Sequence, residues 1–238
     1  MSTLLPSLDA AVAERWLSAP RYRRYPSVAG GDHDLAMEIY LWNSRVAAAG
    51  VVDVGHTEVA VRDAYDRHLS RRYQNWGVAP QSPLFRLEQG LGHARVQQGR
   101  RNRASLNRVV EAKRGLSSAP THDEVVAFLT FGFWSNLTVA ERTPTIRNPV
   151  LHRTFPKGTA RARVNDLVSR IVKFRNRLAH NEPVFSTRTS LDDRLAEVRE
   201  LFELIDADAY GYVSEHSGLG RAILSCPLPG LTRATGLA

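Results

Sequence analysis

Apolar residues recur at helical spacing along most of the chain, and this spacing constrains the fold more than any other feature. Within residues 159–179 they follow the three- and four-residue steps of one helix face, at Val164, Leu167, Val168, Ile171, Val172 and Leu178. Such a face is apolar along its length and must be buried against other elements. Strand-like alternation is not sustained anywhere in the sequence. The sequence therefore predicts an all-α fold, a helical bundle with short connections.

The same spacing predicts six further helices, over approximately residues 8–17, 34–49, 57–73, 93–114, 121–137 and 191–209. Thr121 and Glu124 have the spacing of a capping box at the start of one helix, and Ser190 precedes the last. The tail after Gly218 is rich in glycine and proline, so we expect it to be loosely held. We divide the chain into an N-terminal helical extension, a helical domain and a C-terminal tail, over residues 1–30, 31–210 and 211–238.

The charge of the chain favours a polyanionic partner. The formal net charge is +8, and arginine carries nearly all of the positive charge, because there are only three lysines. Arginine binds phosphate through two aligned donors and stacks on bases. A GC-rich genome also replaces lysine by arginine without any functional cause. Charge alone therefore leaves nucleic-acid binding open.

Residues 93–114 form the most basic segment, and we expect a helix with Val96, Leu106, Val109 and Val110 turned inward. Its arginines are the best candidates for an RNA-binding surface, with a merely solvated face as the alternative. The candidate RNA-binding residues are Arg95, Arg100, Arg101, Arg103 and Arg108.

Other features narrow the class of protein. Cys226 is the only cysteine, which excludes an intrachain disulfide and a zinc site built from several cysteines. The histidines at positions 33, 56, 68, 93 and 122 lack metal-ligand spacing. No apolar stretch is long enough for a membrane span, and no signal peptide is evident. We expect a cytoplasmic protein that needs no metal or other cofactor.

An arginine and an asparagine followed by a histidine occur twice with the same spacing. The two sets are Arg147, Asn148 and His152 in RNPVLH, and Arg175, Asn176 and His180 in RNRLAH. In so arginine-rich a chain about one Arg/His pair at this spacing arises by chance.

Sequence context separates the two sets. Pro149 follows Asn148 directly and disfavours the α conformation at that residue. The second set instead closes the long helix of residues 159–179, and Pro183 stops that helix shortly after His180. We therefore take Arg175, Asn176 and His180 as the candidate catalytic residues.

The residue types in this set suit the cleavage of RNA. Asn176 and His180 lie one helical turn apart on one face, whereas the long side chain of Arg175 has to swing round to join them. Histidine transfers protons near neutral pH, and arginine stabilises the charge on a phosphate in the transition state. One histidine cannot readily act as both base and acid, so we expect a two-fold homodimer that brings two copies together.

The segment FRNRLAHNEP resembles the R-N-x-x-x-H signature of HEPN ribonucleases, in particular Abi-like proteins linked to bacterial abortive infection. EVAVRDAYDRHL, over residues 58–69, looks like the earlier helix of that family. LTFGFWSNL and PVLHRTFP look like its middle section, so that the resemblance covers approximately residues 35–206.

The resemblance implies an HEPN-like helical bundle with additional helices, a dimer, and a metal-independent endoribonuclease that leaves 2′,3′-cyclic phosphate ends. Such proteins are often toxins restrained by an antitoxin protein or an antidote RNA. The resemblance carries over to Arg175, Asn176 and His180, and more weakly to Glu58 and Arg62. One departure is Asp63, where the family often has asparagine.

Several alternatives remain open at the level of sequence. Glu58 and Arg62 either support the catalytic residues or form an ordinary intrahelical pair. Asn181 and Glu182 either support the site or cap the helix end and pair with a nearby arginine. Trp134 is expected to pack in the core instead of stacking on a base. The alternative to an enzyme is a non-catalytic adaptor of the same fold that binds RNA or protein.

Overall fold

The computed structural model describes residues 8–79, 84–85, 93–185, 190–228 and 230–232, and every regular element in these ranges is helical. This confirms the all-α prediction. The α-helices are α1 (Ala10–Leu17), α2 (Ala19–Tyr22), α3 (Arg24–Val28), α4 (His33–Arg72), α5 (His93–Arg114), α6 (His122–Phe128), α7 (Phe131–Ser135), α8 (Arg161–Ala179), α9 (Leu191–Ile205), α10 (Ala207–Glu215) and α11 (Leu219–Leu224). Three short turns of 3-10 or π type join α7 to α8, over Ala140–Arg142, Thr143–Arg147 and Leu151–Thr154.

The chain forms two compact units. The first unit comprises Met1–Val54, Phe174–Ala196 and Ser214–Ala238, and the second comprises Gly55–Lys173 and Glu197–Val213. Helices α4, α8, α9 and α10 each contribute residues to both units.

Helix α4 is a single helix of 40 residues, so the prediction of two separate helices at 34–49 and 57–73 is wrong. The sequence between the two predicted helices begins with Gly50. A Cβ atom at Gly50 would lie 2.9 Å from Cδ1 of Leu178, so the glycine allows the end of α8 to pack directly against α4. Close packing, and not a turn, explains this glycine.

The core of the first unit is built around aromatic rings. Tyr25 packs edge-on against Tyr40 and Phe185, with centroid distances of 5.4 and 5.6 Å. The indole of Trp42 is buried and donates a hydrogen bond of 2.9 Å to the carbonyl of Ala222 in α11. Residues after Gly218 therefore include a helix held to the core, contrary to the expected loose tail.

A second aromatic cluster lies in the second unit. Trp76 stacks on Phe133 at 5.7 Å, and Trp134 is fully buried beside them, which confirms that Trp134 is a core residue. The capping box of Thr121 and Glu124 is also confirmed.

Helix α6 ends at Phe128, so the prediction of one helix that continues to residue 137 is wrong. The backbone of Leu129 is extended, and the short helix α7 follows. The chain turns here because one straight helix could not bury its own apolar residues together with those of α7, namely Phe131, Phe133 and Trp134.

Helix α5 has the predicted bounds but a different buried face. Val109 is buried as predicted, whereas Val96 and Val110 are 45% and 37% exposed. Buried Asn102 and Ser105 take part of the inward face instead.

The polar side of α5 is explained by Arg142, whose side chain is fully buried in the second unit. Its guanidinium donates to Oδ1 of Asn102 at 2.5 Å and to Oγ of Ser105 at 2.6 Å. It also donates to the carbonyls of Arg101 and Leu84. Burial lowers the pKa of Arg142 to about 10. A buried arginine needs such polar partners, so they replace apolar residues on α5.

Candidate functional site

The end of α8 is a Schellman turn. The amide of Glu182 donates to the carbonyl of Arg177, and the amide of Asn181 donates to the carbonyl of Leu178, each at 2.9 Å. Asn181 has a φ of 49°, the left-handed conformation that this motif requires and that asparagine tolerates better than most residues. The helix therefore ends at Ala179, with His180 as its C-cap, in agreement with the prediction made from Pro183.

The three candidate catalytic residues occupy the last turns of this helix. The amide of His180 donates to the carbonyl of Asn176 at 3.0 Å, so the two residues lie one turn apart as predicted. His180 and Asn176 are exposed, and Arg175 is partly buried. The catalytic roles of the three remain predictions.

Asn43 of α4 anchors the chain immediately after His180. This side chain is fully buried, and its Oδ1 accepts a hydrogen bond of 2.8 Å from the amide of Val184. Its Nδ2 donates to the carbonyl of Glu182 and to Oδ1 of Asn181, each at 3.3 Å. Asn181 in turn donates through Nδ2 to Oγ of Ser44 at 3.0 Å. The turn is thus fixed from α4 by side chains.

Two arginines also hold the helix end. Arg177 lies 3.5 Å from a carboxylate oxygen of Glu182 and donates to the carbonyl of Pro183. Residues at these two positions of a Schellman motif often make an apolar contact, and here an ion pair replaces it. Arg21 of α2 donates to the carbonyl of His180 at 3.2 Å, where a cation complements the negative end of the helix dipole.

Asn181 and Glu182 therefore cap the helix end, and Glu182 pairs with an arginine, which is one of the two alternatives left open by the sequence. Neither Asn43 nor Arg21 was predicted. A sequence signal for Asn43 exists, because this polar residue lies on the same helix face as Ile39 and Val46, which are fully buried. Nothing distinguishes Arg21 from the other arginines of the chain.

Glu58 and Arg62 lie in the part of α4 that belongs to the second unit, whereas the three candidate catalytic residues belong to the first. Both are partly buried. Arg62 donates through Nε to Oδ1 of Asp63 at 2.9 Å. Asp63, the one departure noted in the resemblance to HEPN ribonucleases, therefore forms an ion pair with Arg62. Support of the catalytic residues by Glu58 and Arg62 stays a prediction.

The predicted RNA-binding arginines all lie on α5 in the second unit, and all of them are exposed. Arg101 also lies 3.6 Å from a carboxylate oxygen of Glu141. An exposed basic helix is compatible with both alternatives left by the sequence, an RNA-binding surface and a solvated face. The other members of this set are Arg95, Arg100, Arg103 and Arg108.

The second Arg-Asn-His set has a structural role. Arg147 is buried, lies 5.3 Å from the ring centroid of Phe155, and donates to the carbonyls of Leu151 and Thr159, each at 3.0 Å. Burial lowers the pKa of Arg147. Its donors are used within the protein, which supports the choice of the other set.

Asn148 has α-helical φ and ψ values, so the prediction that Pro149 moves Asn148 out of this conformation is wrong. The chain makes a wider, π-type turn here, in which the amide of Asn148 donates to the carbonyl of Thr143 five residues earlier. The unfavourable contact before a proline is tolerated in such irregular turns.

Within the part of the chain that the structure describes, no three or more histidine, cysteine, aspartate or glutamate residues are placed to hold a metal ion. One histidine of the second unit makes a structural contact. Nε2 of His122 lies 3.0 Å from Oδ1 of Asp66, and its Nδ1 accepts from the amide of Gly77 at 3.3 Å.

No helix in the described ranges has both the length and the apolar character to cross a membrane.

Comparisons with protein-family models, with curated proteins and with solved structures gave no match to this chain. The resemblance to HEPN ribonucleases therefore depends on the residues quoted above, and chiefly on the segment that ends α8.

Proposed function

We propose that this protein is a metal-independent endoribonuclease of the HEPN type, with Arg175, Asn176 and His180 as its catalytic residues. One observation carries the proposal. An exposed histidine forms the C-cap of α8, one turn from an exposed asparagine, in a turn that buried side-chain hydrogen bonds hold in place.

The reaction uses the nucleophile that RNA itself provides. His180 transfers a proton, either from the attacking 2′-hydroxyl or to the departing 5′-oxygen. Arg175 binds the phosphate and stabilises the charge that develops on it, and Asn176 orients the reacting groups. The products are a 2′,3′-cyclic phosphate and a 5′-hydroxyl. Single-stranded or looped RNA is the substrate class, because its backbone can align the 2′-hydroxyl with the leaving oxygen.

The fixed helix end supports this assignment, since catalytic groups need a geometry that is set before the substrate binds. The carbonyl of His180 is bound by Arg21, and its amide is bound within α8. The backbone of the proton-transfer residue is therefore held on both sides, while its exposed side chain is accessible to a substrate.

A second copy of the chain completes the proposed site, because proton removal and proton donation then fall to two histidines. We further propose that the enzyme acts in the cytoplasm as a toxin or antiphage effector, restrained by an antitoxin protein or an antidote RNA.

The proposal is tested by incubating the purified chain with single-stranded RNA in the presence of EDTA. We expect fragments with 2′,3′-cyclic phosphate ends, and we expect a 2′-deoxy substitution at the cleaved position to block that cut. His180→Ala should lower the rate by about 100- to 10,000-fold, the contribution of a general acid or base.

The matched control is His152→Ala, which removes the exposed histidine of the second set. This variant should cleave RNA at the rate of the unmodified protein. Equal losses in the two variants, or a His180→Ala protein that is as active as the parent, would refute the catalytic assignment. If parent and His180→Ala proteins bind RNA equally and neither cuts it, the chain is an adaptor. Full activity of a strictly monomeric protein would refute the composite site.

A further inference from the structure

A cavity of about 500 Å³ lies in the second unit, between α5 and the end of α6. This volume falls within the range of about 300–1,000 Å³ that is typical of small-molecule sites. The lining residues that matter for binding are Ala104, Asn107, Arg108, Glu111 and Ala112 of α5 and Phe128 of α6.

The spacing of residues on α5 creates this space. Ala104, Arg108 and Ala112 stand four positions apart and therefore form one row along the helix. The two alanines are small, so they leave room on both sides of the arginine. Asn107 and Glu111 form the neighbouring row, also four residues apart, and supply an amide and a carboxylate.

Phe128 provides an aromatic wall. Phe128 is 51% exposed, although it lies at the end of a helix that carries buried Val125 and Val126. A Cβ atom at Gly115 would lie 2.8 Å from Cζ of this ring, so the far end of the ring rests directly against the glycine. The ring is therefore exposed but supported, an arrangement suited to stacking a planar ligand.

The polar groups of the cavity differ in what they bind. Arg108 is a donor for phosphate and can also stack on a planar group. Its NH1 atom packs against Gly132. Glu111 accepts hydrogen bonds from amino groups and repels a free anion. Asn107 can both donate and accept. A ligand that fits this set has a planar ring, hydrogen-bond donors on its edge and an attached phosphate.

We propose that this cavity, termed here the base pocket, binds one nucleobase of a single-stranded RNA, with the base stacked on Phe128. Arg108 binds the adjoining phosphate, and Asn107 and Glu111 contact the base edge. The exposed arginines of α5 continue the contact along the RNA backbone. The choice of RNA over DNA rests on the proposed function, whereas the pocket itself requires only a nucleobase and a phosphate.

The test measures binding without cleavage, by using His180→Ala as the parent protein. A short single-stranded RNA carries 2-aminopurine at one position, and its affinity is followed by fluorescence anisotropy at fixed salt. Phe128→Ala in this background should weaken binding by about 5- to 150-fold, the range reported for loss of one base–aromatic stack. Phe128→Trp should retain the affinity, because tryptophan also stacks.

The matched control is Tyr212→Ala, which removes an aromatic side chain of the same unit that is 71% exposed and does not line the pocket. It should leave the affinity unchanged. Far-UV circular dichroism checks that each variant is folded. Photo-cross-linking of 5-iodouridine RNA should attach a fragment that contains Phe128.

Equal affinities of Phe128→Ala and Tyr212→Ala would overturn the proposal, as would an RNA cross-link located only elsewhere. The base pocket and the proposed ribonuclease activity can be refuted separately. If the protein binds RNA through Phe128 but never cuts it, the base pocket is supported and the proposed ribonuclease activity is refuted. If the protein cuts RNA but its affinity does not depend on Phe128, the ribonuclease activity is supported and the base pocket is refuted.

Discussion

Replacing Asn43 by alanine removes the side chain that fixes the turn after His180. Three hydrogen bonds are lost, to the amide of Val184, to the carbonyl of Glu182 and to the side chain of Asn181. The amide of Val184 then has no acceptor from α4, although Val184 is buried. The substitution leaves the residues of α8 unchanged.

The expected cost follows from these bonds. A buried hydrogen bond contributes about 0.5–1.5 kcal/mol net, and an unsatisfied buried donor costs about 1–3 kcal/mol. We expect the free energy for local opening of the turn to fall by about 2–4 kcal/mol. At 1.4 kcal/mol for each factor of ten, the amide of Val184 should exchange its hydrogen about 30- to 700-fold faster.

Amide-resolved hydrogen exchange measures this directly. Ser44→Ala is the matched control, because it removes only one bond to the turn, the one donated by Asn181, together with the bond from Ser44 to the carbonyl of Tyr40 within α4. That control should accelerate exchange at Val184 by less than about tenfold. If Asn43→Ala accelerates exchange no more than Ser44→Ala, the turn does not depend on Asn43 and our reasoning about the anchor is refuted.

Two further predictions concern α4. Gly50→Ala should destabilise the protein by about 1–2 kcal/mol, because the added methyl group lies 2.9 Å from Leu178. Gly55→Ala should stabilise the protein by about 0.5–1 kcal/mol, because the space around the added Cβ atom is open. Urea denaturation compares them, and equal shifts would contradict the packing argument. Burial, and then the charges of Arg71 and Arg67, lower the pKa of His68 below its ordinary value of 6.5. As the pH falls, His68 therefore becomes protonated in the unfolded chain before it does so in the folded protein. Stability should fall as the pH drops through about 6.5 toward the folded-state pKa. His68→Gln should reduce this acid-induced loss in thermal midpoint between about pH 7 and pH 5, and an identical loss in both proteins would disprove the assignment.

The sequence predicted the helical class and the end of α8, because both depend on local patterns. Apolar spacing places the buried face of a helix, and Pro183 limits how far the helix can run. The single helix α4 was missed for a different reason. A glycine that ends a helix and a glycine that admits a neighbouring helix look alike in a sequence, and only the position of Leu178 separates them.

Other errors arose from contacts between residues far apart in the chain. Val96 and Val110 were expected to face inward, but the buried face of α5 is shaped by Arg142, which binds Asn102 and Ser105. Burial of an arginine runs against its usual exposure, so no local pattern predicts it. Asn43 was missed likewise, since its partners lie 138 to 141 residues later.

The anchored helix end has a consequence for protein design. A designer who grafts residues 174–185 onto a foreign helix transfers the stop signal, which includes Asn181, Glu182 and the ion pair with Arg177. The graft leaves behind the amide side chain of Asn43, because it belongs to a distant helix. A portable version of this helix end must therefore consist of two segments, and the recipient scaffold must place an asparagine on a neighbouring helix.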